Sequence, residues 1–218
     1  MIQAIRSAEL KRIFKEVAAI LNENKELLTE LDSAMGDGDL GLYVPAGFES
    51  AAGSLTDDML PGQMLMKAAA VLNAEAPSTL GTLLSCALLA AGRAAGSEPG
   101  LQASHILDMS QSSIDIIMKR GKANRGEKTI LDVLIPAHEA LEKSIADGHD
   151  LSAAFQSALL GAGKGLDEST GMRAVHGRPG YYGDASIGKQ DGGAMVGYLI
   201  CQGIVNSLGD CRDYEKTD

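Results

Sequence analysis

Ser7-Ala-Glu-Leu-Lys-Arg-Ile-Phe-Lys-Glu-Val-Ala-Ala-Ile-Leu21 is the stretch that decides the fold class. Its apolar residues Leu10, Ile13, Phe14, Val17, Ile20 and Leu21 recur three and four apart, the period of one face of an α-helix and not of a strand. Ser7 is the expected N-cap, with Glu9 in the first turn. Leu27, Leu28 and Leu31 carry the apolar face onward to a glycine-aspartate break at Gly36. The same period returns near residues 41–53, 62–73, 80–95, 102–119, 129–145, 151–168 and 192–208, and no stretch alternates convincingly with period two. The intervening loops at 54–61, 96–100 and 146–150 are short and polar or rich in Gly and Pro, as between antiparallel neighbours in a bundle. Pro136 falls within a helical pattern and predicts a kink. With no internal repeat and no long linker, the expectation is one all-α domain over residues 1–218, built from about eight helices.

Composition supports that reading and removes several functions. Aromatic residues make up 4% of the chain and tryptophan is absent, while Ala, Leu, Met and Gly are abundant, so the core is built from small and flexible side chains suited to close helix packing. A net charge of -10 excludes a nucleic-acid partner, because phosphate-backbone affinity needs clustered Lys and Arg. No apolar run reaches the length of a membrane span, and the N-terminal residues do not read as a signal peptide. A cytoplasmic location is therefore expected. Cys86, Cys201 and Cys211 are too scattered for a disulfide framework or a structural zinc site, and the first two read as small core residues.

Two segments have the wrong composition for a bundle helix or a simple turn. The first is Asp32-Ser-Ala-Met-Gly-Asp-Gly-Asp-Leu-Gly41, and the second is His176-Gly-Arg-Pro-Gly-Tyr-Tyr-Gly-Asp-Ala-Ser-Ile-Gly-Lys-Gln-Asp-Gly-Gly193. Long irregular stretches of this kind are usually functional. Asp32, Asp37 and Asp39 fall within eight residues, and Gly36, Gly38 and Gly41 let that turn fold tightly. Magnesium takes one or two carboxylates together with water and phosphate oxygens, so converging aspartates suit a pair of such ions. The register is not that of an EF-hand, whose distant glutamate is missing. Simple helix punctuation is the plain alternative, but it leaves three mutually repelling carboxylates unexplained.

Ser78 or Thr79 is placed to cap the helix that follows, and Thr129 to cap another; free N–H groups at such helix starts attract anions. Neither segment matches a P-loop, and no dinucleotide fingerprint follows a strand. Arg178, between Gly177 and Pro179-Gly180, stands on a loop where a guanidinium suits a phosphoryl group, an ordinary surface ion pair being the alternative. The histidines His105, His138, His149 and His176 share no spacing, and only His176 lies near the arginine.

Taken in order, these segments resemble the nucleotide-binding L subunit of dihydroxyacetone kinases over nearly the whole chain. Asp32 through Gly41 match the family's Asp-x-x-x-Gly-Asp-x-Asp-His-Gly, with Leu40 where His is expected. Arg120 through Asp132 resemble its Arg-Gly-Lys-Ala…Gly-Asp-Lys-Thr segment. Gly177 through Ala194 resemble its Gly-Arg-Ala-Ser-Tyr-Leu-Gly-Glu-Arg-Ser-Ile-Gly-His-Gln-Asp-Pro-Gly-Ala pattern, with Gly192 in place of Pro. The family's Gly-Ala-Ser-Gly-Pro loop is replaced by Ala74-Glu-Ala-Pro-Ser-Thr-Leu-Gly, which leaves Ser78 or Thr79 to stand in for the family's Ser.

The resemblance implies a barrel of eight antiparallel helices with a nucleotide in the loops at one end. It implies ADP or ATP held through two magnesium ions on Asp32, Asp37 and Asp39. Leu40, Gly41 and Leu42 would run along the phosphates, and Gly121, Thr129, Ile130, Asp191 and Gly192 would form the adenosine pocket. Arg178 would reach the transferred phosphoryl group. The same resemblance implies a K-type partner that binds the sugar, dihydroxyacetone or another small ketose or polyol. Donors divide the family into ATP users and an ADP-coenzyme branch served by a phosphohistidine protein of the phosphotransferase system, and a separate L chain favours the second. A homo-oligomer is compatible with all of this. The competing class is a non-catalytic nucleotide-sensing module that regulates a partner.

Overall fold

In the computed structural model the described residues are 2–209, so Cys211 lies outside the described residues. Nine α-helices fill this span: α1 (Ser7–Glu23), α2 (Lys25–Ser33), α3 (Leu40–Gly53), α4 (Pro61–Glu75), α5 (Thr79–Ala95), α6 (Ala103–Gly121), α7 (Leu131–Ala146), α8 (Leu151–Thr170) and α9 (Gly192–Gly209). A short 3-10 segment, Pro179–Ser186, precedes the last of them. The only strand-like feature among the described residues is a single bridge between Ile5 and Leu101.

All six apolar positions that decided the class are buried on α1. The expected single run through Leu31 instead divides at Asn24, whose side-chain amide donates to the Ile20 carbonyl at 2.8 Å and closes the first helix. That division accounts for nine helices where eight stretches were read. Ser7 is not the N-cap. It is the first helical residue, its hydroxyl donates to the Met59 carbonyl at 2.7 Å, and Glu9 reaches back to accept from the Arg6 amide at 3.0 Å.

Packing follows chain order: α3 lies on α4, α4 on α5, α5 on α6, α6 on α7, α7 on α8 and α8 on α9, and α9 returns to α1. Small residues make the closest of these approaches possible. At the interface of α7 and α8, a Cβ on Gly161 would stand 2.4 Å from the Pro136 carbonyl, and one on Gly165 would stand 2.1 Å from the Asp132 carbonyl. Pro136 has no N–H to give to Asp132 four residues earlier, so α8 runs against a carbonyl that its own helix leaves free. Phe14 and Phe48 add a stacked aromatic pair between α1 and α3, with ring centroids 6.5 Å apart.

Between the helices lies an apolar cavity of about 260 Å³, lined among others by Phe14, Leu65, Leu84, Ile114, Leu134 and Phe155. His138 and Ser110, 3.0 Å apart, form a polar pair on its wall. Cys201 also faces it, and burial pushes its thiol up to about 12. No helix among the described residues is long and apolar enough to cross a membrane.

Candidate functional site

Four helices begin at one end of the molecule. A Cβ at Gly192, the first residue of α9, would stand 2.7 Å from Leu40 Cδ2 at the start of α3 and 3.9 Å from the Asp32 amide nitrogen. A Cβ at the adjoining Gly193 would stand 3.9 Å from both the Ile130 nitrogen, just before α7, and Leu80 Cδ2 in the first turn of α5. The positive dipole ends of α3, α5, α7 and α9 thus gather around one spot, an arrangement that favours a multiply charged anion, with one amide at each start already held by a side-chain oxygen.

Beside that spot the aspartates converge. Asp32 ends α2, and Asp37 and Asp39 stand on the turn that leads into α3. Oxygens of the three carboxylates lie within 4.8 Å of one another. Local structure forces the convergence. A Cβ at Gly36 would stand 2.2 Å from Asp32 Oδ1, and Gly38 takes a φ of 78°, a left-handed conformation open to glycine. Asp32 Oδ2 also accepts from the Leu40 amide at 3.3 Å, which ties the carboxylate to the start of α3. Burial raises the Asp39 carboxyl above its ordinary value, and the neighbouring Asp37 and Asp32 charges raise it further. The donor set is all carboxylate, as hard divalent cations require, and a cation there would relieve the repulsion. Arg178 already supplies one positive charge, through an ion pair with Asp37.

The remaining expected positions divide by what their side chains do. Ser78 caps α5, its hydroxyl accepting from the Gly81 amide at 3.0 Å, and Thr79 is the first residue of that helix. Ile130 holds the cap position of α7, but the Thr129 hydroxyl accepts from the Leu131 amide, the first of the helix, at 3.2 Å, and Asp132 accepts from the Thr129 amide at 2.7 Å and from the Gly126 amide at 2.5 Å. Ile130 is buried beneath Gly197 of α9. Asp191 caps α9 through Oδ2, which accepts from the Ala194 amide at 2.8 Å, and burial raises its carboxyl to about 6. Gly121 ends α6 beside Leu83 of α5. Gly41 packs against α2, where a Cβ would stand 2.0 Å from the Lys25 carbonyl. Leu40 is buried, whereas Leu42 is 62% exposed.

Four contributors were not singled out from the sequence. Lys128 is buried, and its ammonium donates to the carbonyls of Ser169, Thr170 and Met172 at 2.9, 3.0 and 3.2 Å. Glu127 Oε2 accepts from His176 Nε2 at 2.6 Å, a bond that lowers the glutamate pKa. Tyr181 and Tyr182 stand exposed beside Arg178, with the Lys189 ammonium 5.6 Å from the Tyr182 ring centroid. An acidic-basic pair ahead of a capped helix start was the one available signal for the first two, and spacing alone does not distinguish it from a solvated turn.

The chain is thus an all-helical domain with an aspartate cluster beside the meeting point of helix N-termini. The family model for the DAK2 domain matches residues 34–206, and the chain belongs to that family. It is 30% identical over 185 residues to the Escherichia coli protein named PEP-dependent dihydroxyacetone kinase, ADP-binding subunit DhaL, covering 84% of this chain and 88% of that one. It is 32% identical over 200 residues to the L-erythrulose kinase of Pectobacterium atrosepticum, where the match takes in 86% of this chain but 34% of the kinase. Among solved structures, the dihydroxyacetone kinase from C. freundii in complex with AMP-PNP and Mg2+ superposes with a TM-score of 0.72 over 95% of this chain and 35% of that one, at 21% identity, a likeness of fold. The all-α class expected from periodicity is therefore the fold observed.

Proposed function

We propose that this chain is the nucleotide-binding subunit of a dihydroxyacetone-kinase-like enzyme, binding ADP or ATP with magnesium and passing a phosphoryl group to a small ketose held on a K-type partner. One observation carries the reading: three carboxylates within 4.8 Å, paired with Arg178, beside a convergence of four helix starts. The names of its relatives, an ADP-binding subunit and an erythrulose kinase, support it.

Asp32, Asp37 and Asp39 would hold the magnesium, two ions on this reading, whose chemistry is to neutralise phosphate charge and polarise its oxygens. The chain's own groups do the rest. Backbone N–H groups at the starts of α3, α5, α7 and α9 bind phosphate oxygens. On this reading Gly121, Thr129, Ile130, Asp191 and Gly192 would lie about the adenosine. Arg178, on its loop, meets the charge that develops on the migrating group. A phosphohistidine protein of the phosphotransferase system is the donor we favour, given the relative of that PEP-dependent kind.

The test is a thermal melt with magnesium, ADP, both together, or ADP with chelator. A ligand that binds only the folded state raises the melting temperature by mass action, so both together should shift it well beyond either alone. An equal shift from ADP in chelator would sink metal-bridged binding. Binding without transfer to any short ketose, with a K-type partner present, would leave a nucleotide-sensing module instead.

A further inference from the structure

Adjacent residues hold both ends of the segment that delivers Arg178. Lys128 sits at φ 59°, a left-handed conformation unfavourable for a lysine, and its ammonium gathers three carbonyls from the end of α8 and the residues just beyond it. Those are carbonyls that a helix leaves without partners of its own, and a buried cation with three acceptors is a fixed point. One residue earlier, Glu127 Oε2 accepts both the His176 ring N–H at 2.6 Å and the Asn124 amide at 2.7 Å. The chain from α8 to His176 is therefore fastened at its start by Lys128 and at its finish by Glu127.

Arg178 follows two residues later, across Gly177 at φ 62°. The turn is continued from His176 by backbone bonds, the Gly180 amide donating to the His176 carbonyl at 3.2 Å and the Tyr181 amide to the Arg178 carbonyl at 3.1 Å. The guanidinium itself is more than half exposed, so its own packing does not determine where it stands.

We propose that Glu127, acting through His176, is a positioning residue for Arg178. The proposal rests on the phosphoryl-transfer reading above, because a fixed guanidinium matters most where charge develops transiently. Glu127 acts without touching the nucleotide. It holds His176, His176 holds the base of the turn, and the turn aims the arginine. Both side chains of the pair are about three-quarters shielded and neither belongs to the apolar core, so their removal spares the fold.

The experiment compares Glu127→Ala, His176→Ala and Glu127→Gln with the parent, each alone and in an Arg178→Ala background. Single-turnover transfer from nucleotide-loaded protein to a short ketose, with a K-type partner present, is measured beside calorimetric binding of ADP with magnesium. Glu127→Ala and His176→Ala should each slow transfer, by up to about 10²-fold on the scale known for a misplaced catalytic group. ADP binding should stay essentially unchanged. Glu127→Gln, whose amide oxygen can accept both hydrogen bonds, should keep most of the rate. In the Arg178→Ala background the Ala variants should cost nothing further. Parent-like transfer by Glu127→Ala, or losses that multiply with that of Arg178→Ala, would overturn the proposal. Hydrogen exchange at the Gly180 and Tyr181 amides tests the clasp independently of any activity. Faster exchange in Glu127→Ala supports the clasp even if the parent transfers to no sugar, in which case the transfer reading alone fails. Unchanged exchange refutes the clasp whatever the rates.

Discussion

Leu40 lies against Gly192, so close that a Cβ on the glycine would stand 2.7 Å from Leu40 Cδ2. Leu40 is where the aspartate segment departs from the pattern it resembles, which has His there, and Gly192 is one of the departures in the last loop, which has Pro there. In three dimensions they are one site. The leucine is buried against the start of α9, in space that a side chain at 192 would take.

The first prediction follows from that contact. Gly192→Ala should destabilise the chain by about 1 kcal/mol or somewhat more, the usual cost of overpacking. Leu40→Ala should cost about 2 kcal/mol or more through the cavity it leaves. Combined, they should cost less than the sum, because the methyl at 192 then enters the space left by the leucine. Urea unfolding of the four proteins measures the coupling, and strict additivity would show that the two residues do not share the space.

A second prediction concerns Asp37→Asn. The aspartate is part-exposed and contributes to the carboxylate cluster and to the Arg178 ion pair, not to the core. Removing its charge should weaken binding of ADP with magnesium by at least about tenfold, the loss of one charged ligand from a hard-cation set, with the helical circular-dichroism signal unchanged. A variant that binds as the parent does would reduce the cluster to helix punctuation.

Asp191 sets a pH dependence. Burial raises its carboxyl from 3.8 to about 6, against the opposing effects of the Ala194 amide and the Lys128 charge. A carboxyl with a raised folded-state pKa binds more protons folded than unfolded between those values, so its contribution to stability falls as pH rises across that window. Relative to Asp191→Asn, which keeps a cap oxygen for the Ala194 amide, the parent should lose up to about 3 kcal/mol between about pH 4 and about pH 7. Denaturant titrations of both proteins at several pH values test this. A difference that does not change with pH would mean that the carboxylate is solvated better than its burial implies.

Much of the helical layout was legible because buried faces repeat with the helical period, as on α1. The break at Asn24 was not, since Leu27, Leu28 and Leu31 continue the apolar pattern beyond it and the break depends on a side-chain amide turning back to Ile20. The aspartate cluster was legible because its members lie within eight residues, so a tight turn alone brings them together. That Gly41 must be a glycine was not legible in that motif, since the carbonyl a side chain there would meet lies on α2, a tertiary fact. Lys128 was beyond reach for the same reason. Its three acceptors lie more than 40 residues ahead, and nothing local indicates that a lysine after a glutamate will be buried. The 3-10 segment at Pro179–Ser186 arises within a glycine-rich stretch that carries no periodic signal.

The last prediction separates an enzyme subunit from a sensor, and it depends on Arg178. The guanidinium is more than half exposed and pairs with a carboxylate that is itself part-exposed, so Arg178→Ala should change stability little, by less than about 1 kcal/mol. It should also leave the affinity for ADP with magnesium nearly intact, or raise it slightly. The pair with Asp37 neutralises one of the charges that a cation would use, and removing the arginine returns that charge to the cluster. Transfer should behave differently. Charge on a migrating phosphoryl group is greatest between donor and acceptor, and a guanidinium placed there stabilises the transition state more than the bound nucleotide. Arginines in that role contribute about 10³-fold or more to the rate, and a loss of that order is expected here. Single-turnover transfer to a panel of short ketoses, read beside calorimetric binding, measures both quantities on one preparation. Equal losses in binding and transfer would make Arg178 a phosphate anchor. If Arg178→Ala bound nucleotide like the parent and transferred as fast, its ion pair with Asp37 would be its whole role, and the phosphoryl group would have to be met by another cation.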